Sequence, residues 1–156
     1  MYAATGTGHS IASGRLSFTF GMQGPCLSID TACAAALTAT VAAAASLSHS
    51  ECDHALGAGV NLVLTPIVSS RFAMAGMTSP RGRSHTFDDR ADGYGRSDAC
   101  GSAVLGAGSD VSISLPSHSV RQDGRSATLT APNGQAQQGL LRSSMAGAGI
   151  EAVERH

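Results

Sequence analysis

Apolar and polar positions fall in blocks along the chain, and each block predicts an element. The stretch "GRLSFTFGMQGPCLSID" is an apolar segment, a Gly-Pro turn at Gly24 and Pro25, and a short strand from Cys26 to Ile29. Asp30 and Thr31 are both good helix caps, so a helix of strong propensity is expected from Ala32 to Leu47, ending before the polar "SHSECD". "HALGAGVNLVL" has the Val and Leu content of a buried strand, with glycines that admit a close backbone, and Pro66 ends it. "VSSRFAMAGM" predicts a short helix, followed by a loop rich in Gly, Asp and Arg up to Asp98. "ACGSAVLGAG" and "DVSISL" read as strands. A Pro-Asn-Gly turn then opens an amphipathic helix with Leu140, Leu141 and Met145 at helical spacing. No repeat or linker interrupts this order, and the alternation of strand and helix favours an α/β architecture.

Composition sharpens the picture. Charged residues are 13% of the 156, against ~25% in an ordinary soluble domain. Hydrophobic residues are 42%, many of them alanine, and aromatics only 4%. The interior should therefore be closely apposed backbone, and the scarcity of charge points to a surface covered by a partner or by neighbouring sequence. A net charge of −1 without a basic cluster argues against nucleic-acid binding. No apolar run reaches the ~18 residues of a membrane span, because Thr38, Thr40, Ser46, Ser48 and His49 interrupt the alanine helix. The first ten residues lack the basic start and apolar core of a signal peptide. Cys26, Cys33, Cys52 and Cys100 have neither CxxC spacing nor the density of a disulfide scaffold, so they are read as reduced thiols in the cytoplasm or a reducing organelle.

Of the four cysteines only Cys33 sits at a predicted helix start. A cysteine reacts as its thiolate, and the unpaired N–H groups and positive dipole end of a helix N-terminus favour that form. The same N–H groups can hold the oxyanion of a thioester under attack. Ala34, Ala35 and Ala36 leave room for an acyl chain. An alanine-rich core helix carrying a buried cysteine fits the same residues, and both readings stand at this point. Asp30 reads as a turn anchor rather than a base. His9, His49, His54, His85 and His118 show no zinc-ligand spacing, and Asp88, Asp89 and Asp92 lack the closing glutamate of a calcium loop, so no metal is expected.

The sequence around Cys33, "GPCLSIDTACAAAL", resembles the active-site signature of the β-ketoacyl synthase (ketosynthase) family, G-P-x-x-x-x-D-T-A-C-S-S-S-L, with Ala34, Ala35 and Ala36 in place of the serines. Further blocks resemble the family in the same order. They are "HSIASGRLSFTFGMQGP", "ECDHALGAGVNLVLTP", "FAMAGMTSPRGRSHTFDDRADGYGRSDACGSAVL" and "VRQDGRSATLTAPNGQAQQGLLR", the last similar to modular polyketide synthases. Two places are condensed relative to the family, after "SAVL" and after "AGI", and Arg121 stands where the family favours asparagine.

The resemblance implies a thiolase-like α/β fold, layered α/β/α/β/α, of which residues 1–156 would be part. They would supply the end of the first half, with the nucleophile strand, turn and helix at about 26–47, and the start of the second half after about residue 100. It implies an acyltransferase of polyketide or fatty-acid biosynthesis working by decarboxylative Claisen condensation through an acyl-Cys33 thioester. It places His156, in "VERH", at the family's first catalytic histidine. It implies no directly bound cofactor, an acyl carrier protein partner that brings its phosphopantetheine arm with acyl and malonyl thioesters, and a homodimer. The family's second histidine motif, K-S-N-I-G-H, does not occur in the 156 residues, so a catalytically inert ketosynthase fragment is the first alternative. A cysteine acyl-thioester hydrolase is the remaining alternative.

Overall fold

Glycines at alternate positions of one strand let an alanine-rich helix lie almost directly on it, and this contact organises the fold. The computed structural model describes residues 3–108 and 112–150. In order these are α1 (Ala3–Thr7), α2 (His9–Phe20), a 3-10 turn (Ala32–Ala34), α3 (Ala35–Ser48), β1 (His54–Asn61), α4 (Pro66–Met74), β2 (Ala99–Gly106) and α5 (Gly134–Gly147).

β1 and β2 pair antiparallel, in register from His54 opposite Gly106 to Asn61 opposite Ala99. Side chains alternate across a strand, so Gly57 and Gly59 share one face and Leu56, Ala58 and Val60 the other. The glycine face meets α3. A Cβ built on Gly59 would lie 2.5 Å from the Ala36 Cβ, and one on Gly57 would lie 3.3 Å from the Thr40 hydroxyl. Small side chains on both elements therefore bring helix and sheet together, as the alanine content predicted. The opposite face is open at Val60, 64% exposed, and Val104, 74% exposed, while Leu56 and Ala58 are half-buried.

Among the described residues no apolar side chain is buried, and the exposed surface is 12618 Å². A compact monomer of 15.6 kDa would expose roughly 7,000 Å². The surplus includes apolar side chains on helix and sheet faces, among them Phe18, Leu37, Met74 and Val104, and others in loops, such as Leu64, Phe87 and Leu129.

Two sequence expectations are corrected. Cys26 to Ile29 is not a strand, because its backbone finds no ladder partner among the described residues. It is tied to α2 by side chains instead: the Ser13 and Ser28 hydroxyls are 2.8 Å apart, and the Ser17 hydroxyl lies 3.4 Å from the Cys26 sulfur. Of the expected "DVSISL" strand, Ser112 to Leu115 are not in a ladder among the described residues, and the first two residues lie outside them. The apolar segment before Gly24 belongs to α2, closed by Gly21 at φ 64°. The strand expected to run to Pro66 stops at Asn61, and Pro66 instead opens α4, where its missing N–H costs nothing.

The loop from Thr78 to Tyr94 is held shut by its own polar groups. Arg81 pairs with Asp92 at 2.9 Å and Arg90 with Asp88 at 2.6 Å. The Ser79 N–H donates to the Tyr94 carbonyl and the Tyr94 N–H to that of Met77. Gly93, at φ +133°, lies so close to the Thr78–Ser79 backbone that no side chain fits. The Tyr94 ring meets Phe72 of α4 edge-on, and the Arg96 guanidinium lies 4.8 Å above that ring. The loop thus anchors α4 beside the entry to β2.

Candidate active site

The site is built by a sharp reversal of the backbone just before α3. Thr31 takes φ −124° and ψ 38°, Ala32 takes φ +51°, and Cys33 follows within the 3-10 turn. A left-handed conformation costs an L-residue other than glycine about 1–2 kcal/mol, so neighbouring bonds must hold it. The Ala32 N–H donates to the Asp30 carboxylate at 3.0 Å, closing a small turn around the strained residue. Thr31 and Thr38 hydroxyls meet at 3.1 Å, and Thr38 donates on to the Ala34 carbonyl at 3.0 Å. These bonds tie both sides of Cys33 to the first turns of α3. Asp30 is the turn anchor that the sequence suggested. The N-cap of the 3-10 turn is Thr31, whose side chain makes no capping bond.

Cys33 is exposed, and its thiol has no hydrogen-bonding or ionic partner among the described residues. Its backbone N–H has no acceptor there either, while that of Ala34 is taken by the Thr31 carbonyl at 3.2 Å. From such a position the sulfur can attack a carbonyl carbon while the N–H donates to the oxygen that becomes negative. Ala34, Ala35 and Ala36 leave the approach free of bulk, and Leu37, 65% exposed, is the first large side chain of the helix.

The structure separates the other cysteines from this arrangement. Cys26 lies in the extended segment beside α2, and the Ser13 and Ser17 hydroxyls hold its thiol below its ordinary range. Cys100 is on β2, opposite Val60, and Cys52 follows the turn after α3. His156 lies outside the described residues. Among the described histidines, His9 opens α2, His49 caps α3 and His54 opens β1, while His85 and His118 are in loops. No group of three or more potential metal ligands occurs among the described residues. Asp88 and Asp92 bind arginines, in keeping with a structural loop. No described helix is long and apolar enough to cross a membrane.

Three features had no clear signal in the sequence. The left-handed Ala32 is one, since alanine does not advertise a positive φ. Gly59 is another: a strand glycine suggests close approach but does not name Ala36 as the neighbour. The third is Arg121, whose guanidinium donates to the Ser143 hydroxyl at 3.0 Å and lies over Gly139 of α5.

The model of the β-ketoacyl synthase N-terminal domain matches residues 1–110. Mycoketide-CoA synthase of Mycobacterium tuberculosis is 41% identical over 160 residues, covering 98% of this chain and 4% of that protein. Erythronolide synthase EryA3 of Saccharopolyspora erythraea is 39% identical over 167 residues, 99% of this chain and 5% of that protein. Among solved structures, the ketosynthase from module 6 of the bacillaene synthase from Bacillus subtilis 168 superposes with a TM-score of 0.86 at 33% identity, covering 94% of this chain and 27% of that one. The oxazolomycin ketosynthase domain OzmH KS7 of Streptomyces albus JA3453 gives a TM-score of 0.87 at 28% identity, over 95% of this chain and 29% of that one. The chain thus spans a small part of the curated relatives and less than a third of these solved chains.

Proposed function

The chain belongs to the β-ketoacyl synthase family, and on that premise we propose that Cys33 is the residue on which its parent protein carries a growing acyl chain. Its fold is the thiolase-like one of the solved ketosynthase domains, of which β1, β2 and α3 form a helix-on-sheet pair. The observation that carries the reading is the exposed thiol of Cys33 beside its own N–H, which has no acceptor among the described residues, at the head of a helix seated on glycines.

The reaction follows from those groups. The Cys33 thiolate attacks the carbonyl carbon of an acyl thioester, and the carrier's pantetheine thiolate leaves and takes up a proton. The oxyanion formed in between is held by backbone N–H groups including that of Cys33. Malonyl carrier protein then loses carbon dioxide, and the electron pair of the broken carbon–carbon bond becomes an enolate. The enolate carbon attacks the acyl-Cys33 carbonyl, forms the new carbon–carbon bond and expels the Cys33 thiolate. The β-ketoacyl product remains on the carrier.

His156, at the family's first histidine position, is the chain's own candidate for stabilising charge during decarboxylation. The second histidine would come from sequence not among these 156 residues. The partners are an acyl carrier protein with its phosphopantetheine arm and a second copy of the parent protein. The residues up to about 100 would close the first half of the fold and the rest open the second. Polyketide assembly is favoured over fatty-acid synthesis by "VRQDGRSATLTAPNG".

The test is to supply the full-length protein with an acyl thioester and malonyl carrier protein. A β-ketoacyl product with matched release of carbon dioxide is expected. Free acid released from the acyl thioester, without elongation, would support the hydrolase reading instead.

A further inference from the structure

Nothing in the reaction requires a carboxylate three residues before the nucleophile, yet Asp30 makes a bond that no other described group duplicates. Its Oδ1 accepts the N–H of Ala32 at 3.0 Å, and Ala32 is the residue whose φ of +51° turns the chain so that Cys33 enters α3. Positive φ occurs at only two other non-glycine residues among those described, Ser50 and Phe87, both in turns away from Cys33. A glycine at position 32 would adopt this conformation without steric cost, whereas an alanine there needs a neighbouring bond to hold it. An alanine restrained by an adjacent acceptor gives one conformation.

We propose that Asp30 is a positioning residue for Cys33, acting as a hydrogen-bond acceptor rather than as a charge or a base. It rests on the assignment of Cys33 as the acyl carrier. Its carboxylate fixes Ala32 in the left-handed conformation, and that conformation aims the thiol and the Cys33 N–H at the same incoming carbonyl. The Thr31–Thr38 bond secures the outer side of the same turn at 3.1 Å. A turn misaligned by even an ångström separates attacking sulfur from oxyanion donor, which is how a residue that never touches substrate can govern the rate.

The experiment compares acylation rates at Cys33 in the full-length protein, using an acyl N-acetylcysteamine thioester and locating the adduct by peptide mass spectrometry. The variants are Asp30→Asn, Asp30→Ala, Ala32→Gly and the Asp30→Ala/Ala32→Gly pair, each with its thermal midpoint. Asp30→Asn keeps an acceptor oxygen and should acylate within about twofold of the parent. Asp30→Ala should be about tenfold slower, as expected when a restraint on a left-handed alanine is removed. The double variant should regain most of that loss, because glycine reaches the conformation unaided. If Asp30→Ala does not fold, the double variant decides: fold and acylation recovered together support the proposal, and fold recovered without acylation overturns it. Equal losses in Asp30→Asn and Asp30→Ala would overturn the acceptor role. An unchanged rate in Asp30→Ala, with the adduct on Cys33, would overturn the proposal and leave the acyl-carrier assignment standing. An adduct on another cysteine in the parent would overturn both.

Discussion

The Ala36 Cβ occupies the space that a side chain on Gly59 would need, 2.5 Å from where its Cβ would stand. Ala36 is one helical turn beyond Cys33, so the distance between α3 and β1 also sets where the thiol sits.

Gly59→Ala should therefore be costly. Overpacking of this kind destabilises by about 1–3 kcal/mol. Gly101, its partner across the sheet, has open space where a Cβ would point, so Gly101→Ala is the control and should change stability by less than about 0.5 kcal/mol. Urea unfolding of the two variants makes the comparison.

Asn133 begins α5 by accepting the N–H groups of Gln135 and Ala136, both at 3.2 Å, while its own N–H donates to Asp123 at 2.9 Å. Asn133→Ala should cost about 1 kcal/mol through the lost cap. Asn133→Ser, which keeps an acceptor, should recover part of it in the same unfolding measurement.

The loop from Thr78 to Tyr94 should loosen in acid. Arg90, through its side chain and its N–H, holds the Asp88 carboxyl below the usual carboxylate range, and the Ser79 hydroxyl and Arg81 do the same for Asp92. Groups whose folded pKa is depressed add stability above the unfolded value, about 3.9, and lose it as pH falls below that. Amide exchange in the loop, corrected for intrinsic rate, should rise as pH drops from about 5 to about 3. In Asp88→Asn/Asp92→Asn it should already be fast at the higher pH and change little.

Cys26 should be a second reactive thiol without being an acyl carrier. Ser13 and Ser17 lower its pKa, so its alkylation by iodoacetamide should begin at lower pH than in Ser13→Ala/Ser17→Ala. Profiles that coincide would show that the hydroxyls do not act on the sulfur.

Local pattern made much of this fold legible. The alanine run announced α3, although its N-cap is Ala34 rather than Asp30 or Thr31; the Val, Leu and Gly pattern announced β1, and the Pro-Asn-Gly turn announced α5. The failures were strands that need a partner: Cys26–Ile29 and Ser112–Leu115 have extended sequences but no ladder among the described residues. Cys33 was legible because a thiol at a helix head has a chemical meaning and the surrounding motif has a family resemblance. The strain at Ala32 and the seat under Ala36 were not, since both depend on where the backbone goes.

The most direct measurement is the site of acylation. The full-length protein and its Cys33→Ala variant are each exposed to an acyl thioester and mapped by peptide mass spectrometry. The account predicts one acyl adduct, on the peptide carrying Cys33, and none in Cys33→Ala. An adduct that persists in Cys33→Ala, or that maps to Cys26, Cys52 or Cys100 in the parent, would contradict it.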